Sequence, residues 1–222
     1  MNLDIEAARH QMIEQQVRTW EVLDARVLAT LASVPREQFV PAAYRELAFA
    51  DTAIPLGHGQ SMLSPKTEGR FLQALEVQPA DQVLVVGAGS GYLIACLAKL
   101  GKQVRAIEFF GDVAAQARHN LQAAAINNAV VEEGDALHLD FNTTYDAIAV
   151  TGSLPIYDAR FQRALKIGGR LMVVTGVAPA MEAVKITRSH DNVGDSEWQR
   201  ESLFETELPA LINATKPSAF VF

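Results

Sequence analysis

The chain has one cysteine, few aromatic residues and no excess of positive charge. A lone Cys96 cannot form an internal disulfide, and it lies in the apolar stretch 93–100, where a free thiol is expected to be buried and structural. The histidines (His10, His58, His119, His138, His190) are scattered, and no H-E-x-x-H or cysteine cluster accompanies them, so no metal site is expected. A net charge of −7 argues against a nucleic-acid binder held by phosphate contacts. No apolar run approaches the ~20 residues of a membrane span. The G-x-x-x-x-G-K-[ST] phosphate loop is absent too. Residues 1–6 lack the basic and apolar regions of a signal peptide, and with the single cysteine this gives a cytoplasmic expectation.

What is present suits one domain over residues 1–222, with 49% hydrophobic residues to build a core. Residues 1–80 read as a helical extension. A helix is expected over 4–19, another from an Asp24 cap to Ser33, a loop over 50–65 punctuated by Pro55, Gly57, Gly59 and Pro65, and a short helix over 67–75. From residue 82 the texture changes. Short apolar strands at 83–86, 103–108, 129–133, 145–151 and 170–175 alternate with helices at 92–100, 113–125 and 158–165, and Gly168-Gly169 reads as a turn. Segments 181–188 and 197–207 alternate as a strand pair around the turn residues 191–195. The fold class is therefore α/β: a doubly wound, mostly parallel sheet with an N-terminal helical extension and an antiparallel C-terminal strand pair. The apolar end, 218–222, is expected to tuck against the core.

Gly87-Ala88-Gly89-Ser90-Gly91 follows the first of these strands and opens a helix. Glycines there allow a tight turn and a close backbone approach to a ligand. Glu108 ends the second strand at the spacing of a carboxylate that accepts from ribose hydroxyls, and Asp135 and Ala136 follow the third, where adenine can be read. Ligands bind at this edge of open parallel sheets, so the pattern points to an adenosine-type site. Nicotinamide loops read G-x-G-x-x-G, whereas this chain has G-x-G-x-G, the form used by S-adenosylmethionine-dependent methyltransferases.

Longer segments carry a family resemblance. Residues 34–41, V-P-R-E-Q-F-V-P, resemble the V-P-R-x-x-F-V-P of protein-L-isoaspartate O-methyltransferases. Residues 48–51 and 54–57 resemble that family's A-Y-x-D and P-I-G segments, residues 59–65 its G-Q-T-I-S-x-P, residues 83–92 its V-L-E-I-G-T-G-S-G-Y, and residues 165–171 its L-K-P-G-G-R-L. The resemblance implies a class I, Rossmann-like methyltransferase. It would transfer a methyl group from S-adenosylmethionine to the α-carboxylate of isoaspartyl residues in damaged proteins, leaving S-adenosylhomocysteine. The ester then collapses to a succinimide, which is protein repair. It further implies that residues 1–80 include the substrate loop, that residues 81–222 form the cofactor-binding sheet, and that Gln60, Ser61 and Ser64 serve the transfer.

The chain departs from the family pattern at several places. The acid of V-L-E-I-G falls on Val85, the serine of the substrate loop on Leu63, and the usual histidine after the proline on Lys66. A V-P-L-T-like segment appears as L-P-A-L at 208–211, without its polar residue. These departures keep open a member that binds an adenosyl ligand without this catalysis, serves as a binding module or acts on another acceptor. They also lead to the expectation that Val85→Glu would tighten cofactor binding.

Overall fold

A computed structural model describes residues 4–139, 142–193 and 196–218. The N-terminal extension begins with α1 (Ile5–Met12), capped by Asp4 accepting from the Ala7 amide at 3.1 Å. Its helical course runs on through Ile13–Val17 and Arg18–Trp20 in other helical geometries. Asp24 caps α2 (Ala25–Ser33), accepting from the amides of Arg26 and Val27. Short helical segments at Arg36–Gln38 and Ala42–Leu47 follow.

The stretch expected as a loop at 50–65 instead contains an antiparallel hairpin, β1 (Ile54–Gly57) and β2 (Gln60–Met62). Its proline and glycines disguise it: Pro55 is tolerated in a two-stranded ribbon with a free edge, and Gly57 and Gly59 take positive φ at the turn. Helix α3 (Pro65–Leu75) starts two residues before the expected boundary, because proline suits a first helical turn.

The sheet comprises β3 (Gln82–Val86), β4 (Gln103–Glu108), β5 (Ala129–Glu133), β6 (Tyr145–Leu154), β7 (Leu165–Val177), β8 (Ala180–Val193) and β9 (Ser196–Glu205). Their order is β5-β4-β3-β6-β7-β8-β9, parallel as far as β7 and antiparallel beyond it. Helices α4 (Tyr92–Leu100) and α5 (Gly111–Ala123) join α3 on one face, and α6 (Arg160–Arg163) lies on the other. Two apolar layers result, one holding Val83, Val85, Phe71 and Tyr92, the other Leu84, Val86, Ile148 and Phe161.

The segment around the start of β7 also differs from expectation. The helix at 158–165 shrinks to Arg160–Arg163, since Asp158 is spent bonding Arg160 and Leu165 already pairs with Tyr145. Gly168-Gly169 is an irregularity inside β7 where pairing jumps from Tyr145↔Leu165 to Ala147↔Arg170, and no turn separates the two halves. Gly194 and Asp195 of the expected turn, and residues 219–222 of the apolar end, lie outside the described residues.

Cys96 is fully enclosed in α4, and burial pushes its thiol up. A thiol reagent is therefore expected to leave the native protein untouched and to label it stoichiometrically only in denaturant; rapid native labelling would contradict the packing.

Candidate active site

The strand order reverses between the parallel neighbours β3 and β6, so the carboxyl end of β3 is the crevice where open α/β sheets bind ligands. A cavity of about 550 Å³ opens there, within the range of small-molecule sites. Gly87, Gly89, Glu108, Asp135 and Ala136 line one part of it, and Gln60, Ser61 and Ser64 line another. Ala88, Ser90 and Gly91 stand behind the wall: Ala88 and Ser90 are buried, and Gly91 caps α4.

Glu108 is the centre of the glycine-loop side. It is 6% exposed. Its Oε2 accepts from the Ala88 amide at 2.8 Å and the Gly89 amide at 3.2 Å, while Oε1 accepts from the Phe110 amide at 3.1 Å. The glycine loop therefore spends these donors on the carboxylate and holds it still. A carboxylate has about four acceptor directions, so capacity is left to accept from a ligand hydroxyl.

Asp135 is held in the same way. Oδ1 accepts from the Leu137 amide at 2.9 Å, and Oδ2 accepts from Asn213 at 2.7 Å and pairs with His138 at 2.6 Å. Burial alone would raise this carboxyl; the donors from Asn213, His138 and the Leu137 amide outweigh it and hold it below its ordinary value. The ionised form is thereby kept as an acceptor at the cavity edge.

On the opposite side, Ser64 is the residue before α3, but its hydroxyl meets that of Thr67 at 3.1 Å and caps no backbone amide. Leu63 lines the cavity beside it, so this departure from the family pattern sits in the wall itself. Lys66 also lines it, paired with Asp51 at 2.7 Å and lying 4.1 Å from the Trp20 ring centroid. Among the described lining residues the carboxylates Asp51, Glu108, Asp135 and Glu207 outnumber this cation, a balance that favours a positively charged ligand.

Several wall residues escape a sequence reading. Phe109 and Phe110 follow Glu108 directly, and their aromatic character was the available signal. His58 at the hairpin tip stacks on Phe110 with centroids 4.2 Å apart and bonds Asp112 at 2.9 Å, which fastens the hairpin to the start of α5. The C-terminal segment 206–212 supplies a further wall through Leu208, Pro209 and Leu211. It is pinned beside β6, where the Ser153 amide donates to the Pro209 carbonyl at 2.8 Å and the Ser153 hydroxyl to the Leu208 carbonyl at 2.9 Å.

Val85 is placed otherwise than a cofactor contact requires. It is fully buried in the apolar layer under α3 and α4 and does not line the cavity. Val85→Glu is therefore expected to cost about 3 kcal/mol or more of stability, the scale of an unpaired buried charge, without tightening S-adenosylhomocysteine binding. Calorimetric titration and thermal melts read both effects; tighter binding at unchanged stability would show that position 85 reaches the ligand.

The sequence profile of the protein-L-isoaspartate(D-aspartate) O-methyltransferase family matches residues 7–204. The chain belongs to this family. Among relatives within the protein-L-isoaspartate O-methyltransferases, protein-L-isoaspartate O-methyltransferase 1 of Rhodopseudomonas palustris (strain HaA2) is 37% identical over 185 residues, covering 82% of this chain and 76% of the relative. The protein-L-isoaspartate O-methyltransferase of Methanoregula boonei is 39% identical over 181 residues, covering 81% and 83%. A structure described as a protein-L-isoaspartate O-methyltransferase from Plasmodium falciparum, in complex with S-adenosyl-L-homocysteine, superposes with a TM-score of 0.79 at 19% identity, covering 93% of this chain and 97% of that one. At that identity the likeness is one of fold, and it extends to the N-terminal extension and the C-terminal strands.

Proposed function

We propose that the chain is an S-adenosylmethionine-dependent carboxyl O-methyltransferase acting on isoaspartyl residues of damaged proteins. The observation that carries the reading is the meeting, in one cavity, of the immobilised Glu108 and Asp135 carboxylates with the Gln60, Ser61 and Ser64 side chains. The cofactor fits this donor set: Glu108 would accept from its ribose hydroxyls, Asp135 and Ala136 would border its adenine, and the acidic lining suits its positive charge. When bound it supplies an electrophilic methyl group on a sulfonium.

The chain's own contribution is placement. An isoaspartyl α-carboxylate is ionised at neutral pH, so no strong general base is needed. Gln60, Ser61 and Ser64 offer donors that would orient the carboxylate, and Lys66 offsets its charge among the acidic neighbours. Leu56, Met62, Leu63, Val113 and Ile212 give the cavity apolar walls that exclude water from the transfer. The buried, unpaired Cys96 supports work in a reducing compartment such as the cytoplasm. Among the described residues, no helix is long and apolar enough to cross a membrane.

The test is mass spectrometry of an isoaspartyl peptide and its aspartyl counterpart, each incubated with the protein and S-adenosylmethionine. A methyl ester on the isoaspartyl peptide alone is expected. Saturated cofactor binding with neither peptide modified would overturn the assignment and favour a binding protein that kept the scaffold.

A further inference from the structure

Arg36, in the V-P-R-E-Q-F-V-P stretch, does not line the cavity, yet it is fully enclosed. Its guanidinium joins separate elements. Nε donates to the Ala48 carbonyl at 2.8 Å, Nη2 donates to the Leu63 carbonyl at 2.8 Å, and Nη1 donates to Glu68 Oε2. Its central carbon also lies 4.9 Å from the centroid of the Tyr92 ring, the residue that follows the glycine loop. Glu68 is 2% exposed and follows the wall residues Lys66 and Thr67 on α3. Buried charged pairs are seldom more stabilising than apolar packing of the same volume, and their best use is to specify geometry.

We propose that Arg36 and Glu68 are positioning residues for methyl transfer: Glu68 aims the guanidinium, and Arg36 fixes the Leu63 carbonyl and with it the course of residues 60–64. The inference rests on reading the cavity as the transfer site, since residues 60–64 carry Gln60, Ser61 and Ser64. Lysine cannot replace Arg36 here, because one ammonium head cannot span three acceptors set around a planar fork. Burial pushes the Glu68 carboxyl up to about 8 against the pull of Arg36. In either protonation state an oxygen accepts from Nη1, so the feature that matters is an oxygen at this position.

Glu68→Leu is expected to lower kcat/KM for an isoaspartyl peptide roughly 10- to 100-fold, the scale of a small misplacement of reacting groups. Affinity for S-adenosylhomocysteine should stay within about twofold, because Glu108 is held by its own amides. Glu68→Gln, which keeps an oxygen, should restore most of the activity, and Arg36→Lys should resemble Glu68→Leu. All assays are run below the melting transition of each variant, and Arg36→Lys carries the test if Glu68→Leu does not fold. Hydrogen exchange at the amides of residues 61–64, faster in the impaired variant and restored in Glu68→Gln, reads the loop directly. Equal losses of affinity and turnover, a lowered melting temperature with unchanged kcat/KM, or unchanged exchange at 61–64 would overturn the proposal. A parent protein that exchanges as described but methylates no peptide would instead defeat the methyl-transfer reading and leave the loop anchor standing.

Discussion

Glu108→Ala weakens S-adenosylhomocysteine binding about 100-fold or more, from the loss of roughly 3 kcal/mol. Two losses combine. A charge-assisted acceptor for the ribose hydroxyls disappears, worth about 1.5–3 kcal/mol. The amides of Ala88, Gly89 and Phe110 lose their acceptor together, so the glycine loop no longer has a fixed partner at the end of β4. Glu108→Gln separates the contributions. Its carbonyl oxygen can still accept from the Ala88 amide, but its NH₂ faces another donor where Oε1 now accepts from Phe110. A loss of about tenfold is expected for it. Calorimetric titration of the three proteins measures the series, and an alanine variant within about threefold of the parent would remove Glu108 from the binding site.

Gly87→Ala is the second large effect, and it begins in the backbone. Gly87 has φ of 89°, which L side chains rarely adopt. A Cβ built there would lie 2.2 Å from the Thr151 hydroxyl oxygen. That hydroxyl cannot simply swing away, because it donates to the carbonyls of Val86 and Gly87 at 3.0 and 2.9 Å. Strain and displaced bonds together should cost about 3 kcal/mol, which lowers the melting temperature by ~6–12 °C in a chain of this size. Thr151 lines the cavity, so cofactor affinity falls in the folded fraction as well. Adding Thr151→Ala should recover part of the loss by removing the obstructing oxygen, and the φ penalty stays. Additive effects of the two substitutions in thermal melts would mean that the residues do not press on one another.

Much of this architecture was legible because β3, β4 and β5 are short strands that end at a glycine or an acid, namely Gly87, Glu108 and Glu133. Val83 to Val86, then the glycine loop, then Glu108 at the next strand end pointed to Gly87, Gly89 and Glu108, which line one cavity. Elements whose local chemistry contradicts their conformation were hidden. Pro55, Gly57 and Gly59 read as loop, although the backbone around them pairs as a hairpin. Gly168-Gly169 read as a turn, although β7 carries them as an irregularity. The sequence suggested a glycine-loop backbone that closely approaches a ligand, but the amides of Ala88 and Gly89 are bonded to Glu108, since a buried carboxylate needs donors. No local pattern sets Glu68 apart on α3, and its buried partner Arg36 is 32 residues away along the chain. The wall made by residues 206–212 depends on bonds to Ser153, which no local pattern announces.

A crystal structure with S-adenosylhomocysteine tests the central claim most directly. The ribose hydroxyls should donate to Glu108, with the adenine beside Asp135 and Ala136 and the sulfur turned toward the strand that carries Ser61. Ligand density outside the crevice between β3 and β6, or a ribose bound without Glu108, would contradict it.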